Sequence, residues 1–255
     1  MPNTQDMKAL DLIAAKGFPD ARGVFTELHS SVTDLEVGYL RDLIAQCRPS
    51  RTLEVGCAQG VSSLAICECI GPDAHHTIID AFQSTEWKGH GLHNLGAAGF
   101  SNFRLIEQRS EFVLPALCAE GAMFDLVFVD GWHTLDHVMV EFFYIDRMLP
   151  VGGVVAFDDT SLTGLNRLMR YITRYPNYLC LGSRGDLRPT AARRMLNVLR
   201  SIVGAISLPL GGRLRSELLH DAVVRPDARI GLDGSMTAFR KTAPDARGWA
   251  WYEPF

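Results

Sequence analysis

The stretch "LVFVDGWHTLDHV", Leu126–Val138, runs four apolar residues into an acid, an indole and an imidazole: Asp130, Trp132 and His133. A second apolar run, "VVAF", ends on the acid pair Asp158 and Asp159. An imidazole titrates near neutrality, so His133 is a candidate general base. Three carboxylates gathered at one place repel one another unless a cation sits between them. Oxygen-only ligands suit Mg²⁺, so Asp130, Asp158 and Asp159 are the expected metal ligands. The plainer alternative is that the Asp158–Asp159 pair caps the next helix. His133 and His137 are four residues apart, but "HTLDH" lacks the glutamate of the H-E-x-x-H zinc motif. That leaves His137 as a packing or supporting residue. Either His90 or His93 in "EWKGHGLHNL" can line a pocket or face solvent.

A different chemistry is written in "LEVGCAQG", which places Glu54, Gly56 and Gly60 at a strand-to-helix turn. Glycines there allow close backbone approach to a ligand. The spacing is E-x-G-x-x-x-G rather than the G-x-G-x-x-G of dinucleotide sites. A pyrophosphate at the helix N-terminus would be repelled by the nearby Glu54 carboxylate, whereas a ligand carrying an ammonium and a sulfonium would not. Asp80 ends "TIID", 20 residues past Gly60, where a carboxylate can accept two ribose hydroxyls. Together these features point to a nucleoside with a cationic tail, S-adenosylmethionine. A nicotinamide-dependent oxidoreductase is the disfavoured alternative.

These residues need a scaffold that brings strand ends together. "RTLEVG", "HTIIDAF", "FRLIEQ", "FDLVFVD", "VVAFDD", "YLCLGS" and "MTAFRKT" read as strands, with helical stretches between most of them. Alternation of helices with near-continuous apolar strands predicts a parallel sheet covered on both faces, with ligands at the carboxyl ends of the strands. Thr33 and Glu36 form a capping box ahead of "LEVGYLRDLIAQC". The expected divisions are an N-terminal helical segment over 1–50, a cofactor-binding core over 51–183, a helical insertion over 184–230, and the last strand with the C-terminal tail over 231–255. The stretch from Arg184 to Arg215 holds seven arginines and one acid around an apolar centre. It is expected to be a lid or an oligomer contact, in preference to a membrane-surface helix.

The motifs resemble those of the class I S-adenosylmethionine-dependent methyltransferases, from about Thr52 to Asp159. "FDLVFVDGWHTLDHV" and "PVGGVVAFDD" are similar to the macrolide-sugar and rhamnosyl O-methyltransferases of bacteria and, more distantly, to catechol O-methyltransferase. The resemblance implies a Rossmann-like α/β fold, a seven-stranded mostly parallel sheet with the last strand antiparallel. It also implies that Glu54, Gly56 and Gly60 line the methionine moiety, that Asp80 holds the ribose, and that Ser110 and Trp132 flank adenine. Asp130 would border the cofactor as well as the metal, and His133 would be the base. A core position is the alternative for Trp132.

The function expected is therefore methyl transfer to a hydroxyl of a small molecule, a sugar or natural product, assisted by Mg²⁺. A metal-independent methyltransferase is the runner-up. A net charge of -4 over 255 residues gives no nucleic-acid footprint. No apolar run approaches the roughly 20 residues that span a bilayer, so stable membrane insertion is not expected. Six cysteines without framework spacing suit reduced thiols in the cytoplasm. A homo-oligomer is expected from the resemblance.

Overall fold

A computed structural model describes residues 8–29, 31–186, 190–206 and 224–253. The N-terminal part holds α1 (Ala9–Ala15), β1 (Gly17–Pro19), β2 (Phe25–Glu27) and α2 (Asp34–Cys47). The capping box forms as expected: Glu36 N–H donates to Thr33 Oγ1, and Thr33 N–H donates to Glu36 Oε2 at 2.7 Å. The segment is not wholly helical, however. β1 and β2 pair antiparallel, with Phe18 opposite Thr26. "GFPDARGVFTE" lacks the strict alternation that would announce a hairpin.

The core alternates β3 (Arg51–Val55), α3 (Val61–Cys67), β4 (His75–Ile79), α4 (His90–Ala97), β5 (Phe103–Ile106), α5 (Ser110–Ala119), β6 (Leu126–Val129), α6 (Leu135–Met148), β7 (Val154–Phe157), α7 (Thr163–Ile172) and β8 (Tyr178–Arg184). Then follow α8 (Ala191–Ile206) and β9 (Met236–Lys241). The seven-stranded sheet has the order β5-β4-β3-β6-β7-β9-β8. β9 slots between β7 and β8 and runs antiparallel to both, which matches the expectation for the last strand.

Alternate residues of each strand enter one of two apolar layers. Ile78, Phe128 and Ala156 face the layer under α1–α4, whereas Leu53, Val127 and Val155 face the one under α5–α7. Both faces are thus buried, and the strands need no polar alternation. The strand order reverses between β3 and β6, whose carboxyl ends are Val55 and Val129. A crevice opens at such a switch point, and the next residues along the chain are the glycine turn and Asp130.

Candidate active site

The turn after β3 takes a backbone path that ordinary residues resist. Gly56, Ala58 and Gly60 have φ of 87°, 46° and 84°. The two glycines also permit close contacts, though with backbone. A Cβ on Gly56 would lie 2.1 Å from the carbonyl oxygen of Asp130, and one on Gly60 would lie 2.8 Å from that of Gly91 in α4. Ala58 has no such exemption, and its left-handed conformation is held by the hydrogen bonds around it.

Asp80 supplies those bonds. Its Oδ2 accepts from Cys57 N–H at 3.0 Å, Ala58 N–H at 2.9 Å and Gln83 Nε2 at 3.0 Å, and its Oδ1 accepts from Phe82 N–H at 2.8 Å. Asp80 is buried, not a solvent-facing rim acid. Four donors nearly exhaust a carboxylate, so in this arrangement it clamps the glycine turn from the neighbouring strand.

Glu54 is likewise fully buried. Its Oε2 accepts from Ser63 Oγ of α3 and from His76 Nε2 of β4, the latter at 3.0 Å. Its Oε1 has no hydrogen-bond partner among the described residues. Gln59 reaches the other way. Its amide donates to Glu27 O at 2.9 Å and accepts from His29 N–H at 2.5 Å, which lays the β1–β2 hairpin over the turn. His90 and His93 help to dock that hairpin. His90 packs edge-on to Phe18 with ring centroids 5.3 Å apart, and His93 Nε2 is 3.2 Å from Pro19 O.

On the other side of the switch point, β6 and β7 deliver the acids. His133 stands between two of them. Its Nδ1 is 3.0 Å from Asp159 Oδ2. Its Nε2 is 3.4 Å from Asp130 Oδ1, without hydrogen-bond geometry, and has no hydrogen-bond partner among the described residues. Burial alone would push the imidazole down, but the flanking carboxylates of Asp130 and Asp159 outweigh it and push it up to about 10. Burial raises Asp130 to about 6 despite the pull of His133, with Asp159 and Glu54 adding repulsion. Asp158 is raised well above the usual carboxylate range by burial and by the Asp130 charge. Asp159, contacting His133, is lowered.

The three acids therefore sense one another, as expected, but they do not make a coordination shell. Among the described residues no three His, Cys, Asp or Glu side chains are grouped to hold a metal ion. His133 contacts Asp130 on one edge and Asp159 on the other, and Asp158 Oδ1 accepts Asp159 N–H at 2.8 Å. As arranged, these residues do not fit Mg²⁺. The group standing among the carboxylates is the imidazole of His133.

Trp132 is 62% exposed, which excludes a core position. Ser110, at the start of α5, donates to Glu141 Oε1 at 2.6 Å and lies 3.0 Å from His137 Nε2. His137 Nε2 is also 3.2 Å from Glu141 Oε1, a contact that raises the imidazole. Serine and glutamate thus address the same ring nitrogen and each other. A nucleophile triad would need them on opposite nitrogens. The fully buried Glu141 and His76 were both passed over in the sequence. Glu141 lies within an ordinary amphipathic helix. The signal for His76, a histidine inside a buried strand, was present but unread.

Residues 53–160 match the family described as methyltransferase domain. Three solved structures share the fold. TomG, an O-methyltransferase from Streptomyces achromogenes involved in tomaymycin synthesis and solved with S-adenosylmethionine, is 20% identical, with a TM-score of 0.50 over 84% of this chain and 82% of that one. A putative O-methyltransferase from Klebsiella pneumoniae is 18% identical, with a TM-score of 0.54 over 68% of this chain and 79% of that one. An O-methyltransferase from Bacillus cereus, solved with S-adenosylhomocysteine, is 15% identical, with a TM-score of 0.54 over 68% and 80%. A comparison with curated proteins finds no match. Residues 53–160 are thus a methyltransferase domain, and the chain has the fold of these S-adenosylmethionine-dependent methyltransferases. The methyltransferase-domain match speaks against the nicotinamide alternative. No helix among the described residues is long and apolar enough to cross a membrane.

Proposed function

We propose that the chain transfers a methyl group from S-adenosylmethionine to a hydroxyl of a small molecule, a sugar or natural product, with His133 as the base. The observation that carries this is the state of His133: one ring nitrogen is held by Asp159, and the other is buried without a hydrogen-bond partner. An acceptor hydroxyl can supply that partner. Glu54, Gly56 and Gly60 would line the methionine moiety. Asp80 would act by shaping the turn beside the ribose. Asp130, Ser110 and Trp132 would border the nucleoside.

Methyl transfer is an in-line displacement. The acceptor oxygen forms a bond to the methyl carbon, the carbon–sulfur bond breaks, and sulfur keeps the electron pair as a neutral thioether. The hydroxyl proton passes to His133 Nε2. The imidazole must be neutral beforehand, so the acceptor has to weaken the Asp130 contact that keeps it charged. Asp159 then orients the ring through Nδ1, as a carboxylate does for a catalytic histidine.

A second reading, with Mg²⁺ among Asp130, Asp158 and Asp159, starts from the mutual repulsion of those three acids but not from their present arrangement. It requires His133 to leave its present position, and no step above depends on it. The same overall reading has a cytoplasmic homo-oligomer acting on small acceptors rather than nucleic acid. The exposed Met195, Val198, Leu199, Ile202 and Ile206 of α8 support an oligomer contact or lid in the insertion. Two of the three arginines of α8 are less free to attract an acidic acceptor, because Arg193 and Arg200 pair with Asp227.

The test is methyl transfer from labelled S-adenosylmethionine to a panel of sugar and phenol hydroxyls, with wild type and His133→Ala compared on any acceptor found. Turnover that survives in the variant removes the base. Transfer to amines or thiols alone removes the O-methyltransferase assignment.

A further inference from the structure

Three polar side chains form a chain inside the sheet, on the face that α3 covers. Thr52 and His76 are direct partners across β3 and β4, and Glu54 lies two residues further along β3 on the same face. Thr52 Oγ1 is 2.8 Å from His76 Nδ1, and His76 Nε2 is 3.0 Å from Glu54 Oε2. All three residues are fully buried. A carboxylate only accepts, so the proton between His76 and Glu54 is on Nε2. Ser63 Oγ is a second donor to the same oxygen. Both donors thus pull on Oε2, while Oε1 is buried without one.

A buried carboxyl oxygen left without a donor is costly. The cost falls when a cationic donor arrives. Glu54 is one residue before the last of β3 and two before Gly56 of the glycine turn, so the ligand to be expected there is the ammonium of the cofactor's amino-acid part. We propose that His76 is a positioning residue for cofactor binding: with Thr52 behind it, it holds Glu54 by one oxygen so that the other faces the ligand. The inference rests on the cofactor-site reading of Glu54. His76 does not touch the cofactor. It acts through the acid, and neither the reaction nor the glycine spacing requires a histidine at this place.

The experiment measures S-adenosylhomocysteine affinity by calorimetry for wild type, Glu54→Gln, His76→Leu, His76→Gln and the double variant Glu54→Gln/His76→Leu. His76→Leu should weaken binding about tenfold, the loss of one hydrogen bond to a charged group. His76→Gln, whose amide can replace the Nε2 donor, should recover most of that. In the Glu54→Gln background the leucine change should cost little more. Thr52→Val removes only a hydroxyl, keeps the volume, and guards against a leucine variant that does not fold. It should weaken binding about threefold, as expected for one neutral hydrogen bond. Wild type that fails to bind S-adenosylhomocysteine, or Glu54→Gln that binds as well as wild type, overturns the cofactor-site reading itself. If Glu54→Gln weakens binding while folded His76→Leu or Thr52→Val does not, the positioning role alone is overturned. Additive losses in the double variant overturn it as well.

Discussion

Gly56 and Asp130 are in backbone contact: a Cβ at position 56 would lie 2.1 Å from the Asp130 carbonyl oxygen. The glycine turn and the acid at the end of β6 are therefore one unit. Asp130 N–H donates to Val55 O at 2.8 Å, which ties the same two segments by a ladder-type bond. Any side chain at position 56 has to push the Asp130–Gly131 backbone away from the glycine turn.

Gly56→Ala should therefore impair two properties at once. The residue has φ of 87°, which costs an alanine about 1 kcal/mol or more, and the clash with Asp130 adds to it. We expect a loss of about 2–4 kcal/mol in unfolding free energy by denaturant titration. S-adenosylhomocysteine affinity and turnover should fall together. A variant with wild-type stability would mean that the turn and β6 are not in contact.

Asp80→Ala distinguishes a clamp from a simple ligand contact. A side chain that only met ribose hydroxyls would leave the apo protein as stable as before. Here the substitution strips an acceptor from the N–H groups of Cys57 and Ala58. Ala58, with φ of 46°, would lose what holds it in the left-handed region. The apo protein should be destabilised by about 2–3 kcal/mol, in addition to weaker cofactor binding. Thermal unfolding without ligand provides the check, and an unchanged midpoint would restore the ribose role alone.

The pH dependence of turnover tests His133. Its imidazole is pushed up to about 10 by Asp130 and Asp159 against the effect of burial, so it is charged at neutral pH. A base must be neutral, hence kcat/KM should rise with pH over the range below 10 in the free enzyme. Asp130→Asn removes one of the negative neighbours, makes the imidazolium easier to deprotonate, and should move the rising limb to lower pH. His133→Ala should cost about 10²–10⁴ in kcat. A limb that stays in place in Asp130→Asn assigns it to another group. With the acids arranged as they are, activity should survive EDTA and ignore added Mg²⁺. A strict requirement for the ion would favour the second reading.

The parallel sheet was legible because strands buried on both faces are written as unbroken apolar runs, and "LVFV" and "VVAF" each end where a polar residue begins. The acids at those ends, the glycine turn and His133 were legible for the same reason. What a carboxylate bonds is less visible. Asp80 looked like a rim ligand, since nothing in "TIID" shows that the amides of Cys57 and Ala58 converge on it. His76 becomes meaningful only through the strand register that sets it opposite Thr52. The β1–β2 hairpin was missed because three-residue strands carry too little pattern to stand out from a loop.

Asp227 shows what two arginines of the insertion, Arg193 and Arg200, do, and it offers the last test. It is 2% exposed and receives Arg170 Nη1 at 2.7 Å and Arg193 Nε at 2.9 Å. Burial would raise its carboxyl, but hydrogen bonds from Asn197 and Arg193 and the surrounding guanidinium charge lower it. A carboxyl depressed in the folded state adds stability that is complete above its unfolded value near 3.8 and is lost as pH falls through the folded value. Asp227→Asn should cost about 3–5 kcal/mol at neutral pH, since it removes the negative charge that the buried Arg170 and Arg193 pair with. Arg193 also donates to Ser161 O at 2.7 Å, so loosening α8 should be felt beside Asp159. Acid titration of unfolding, followed by fluorescence, should show a steeper loss below pH 4 in wild type than in the variant. Equal slopes would mean that Asp227 is not the group that ties α8 to the core.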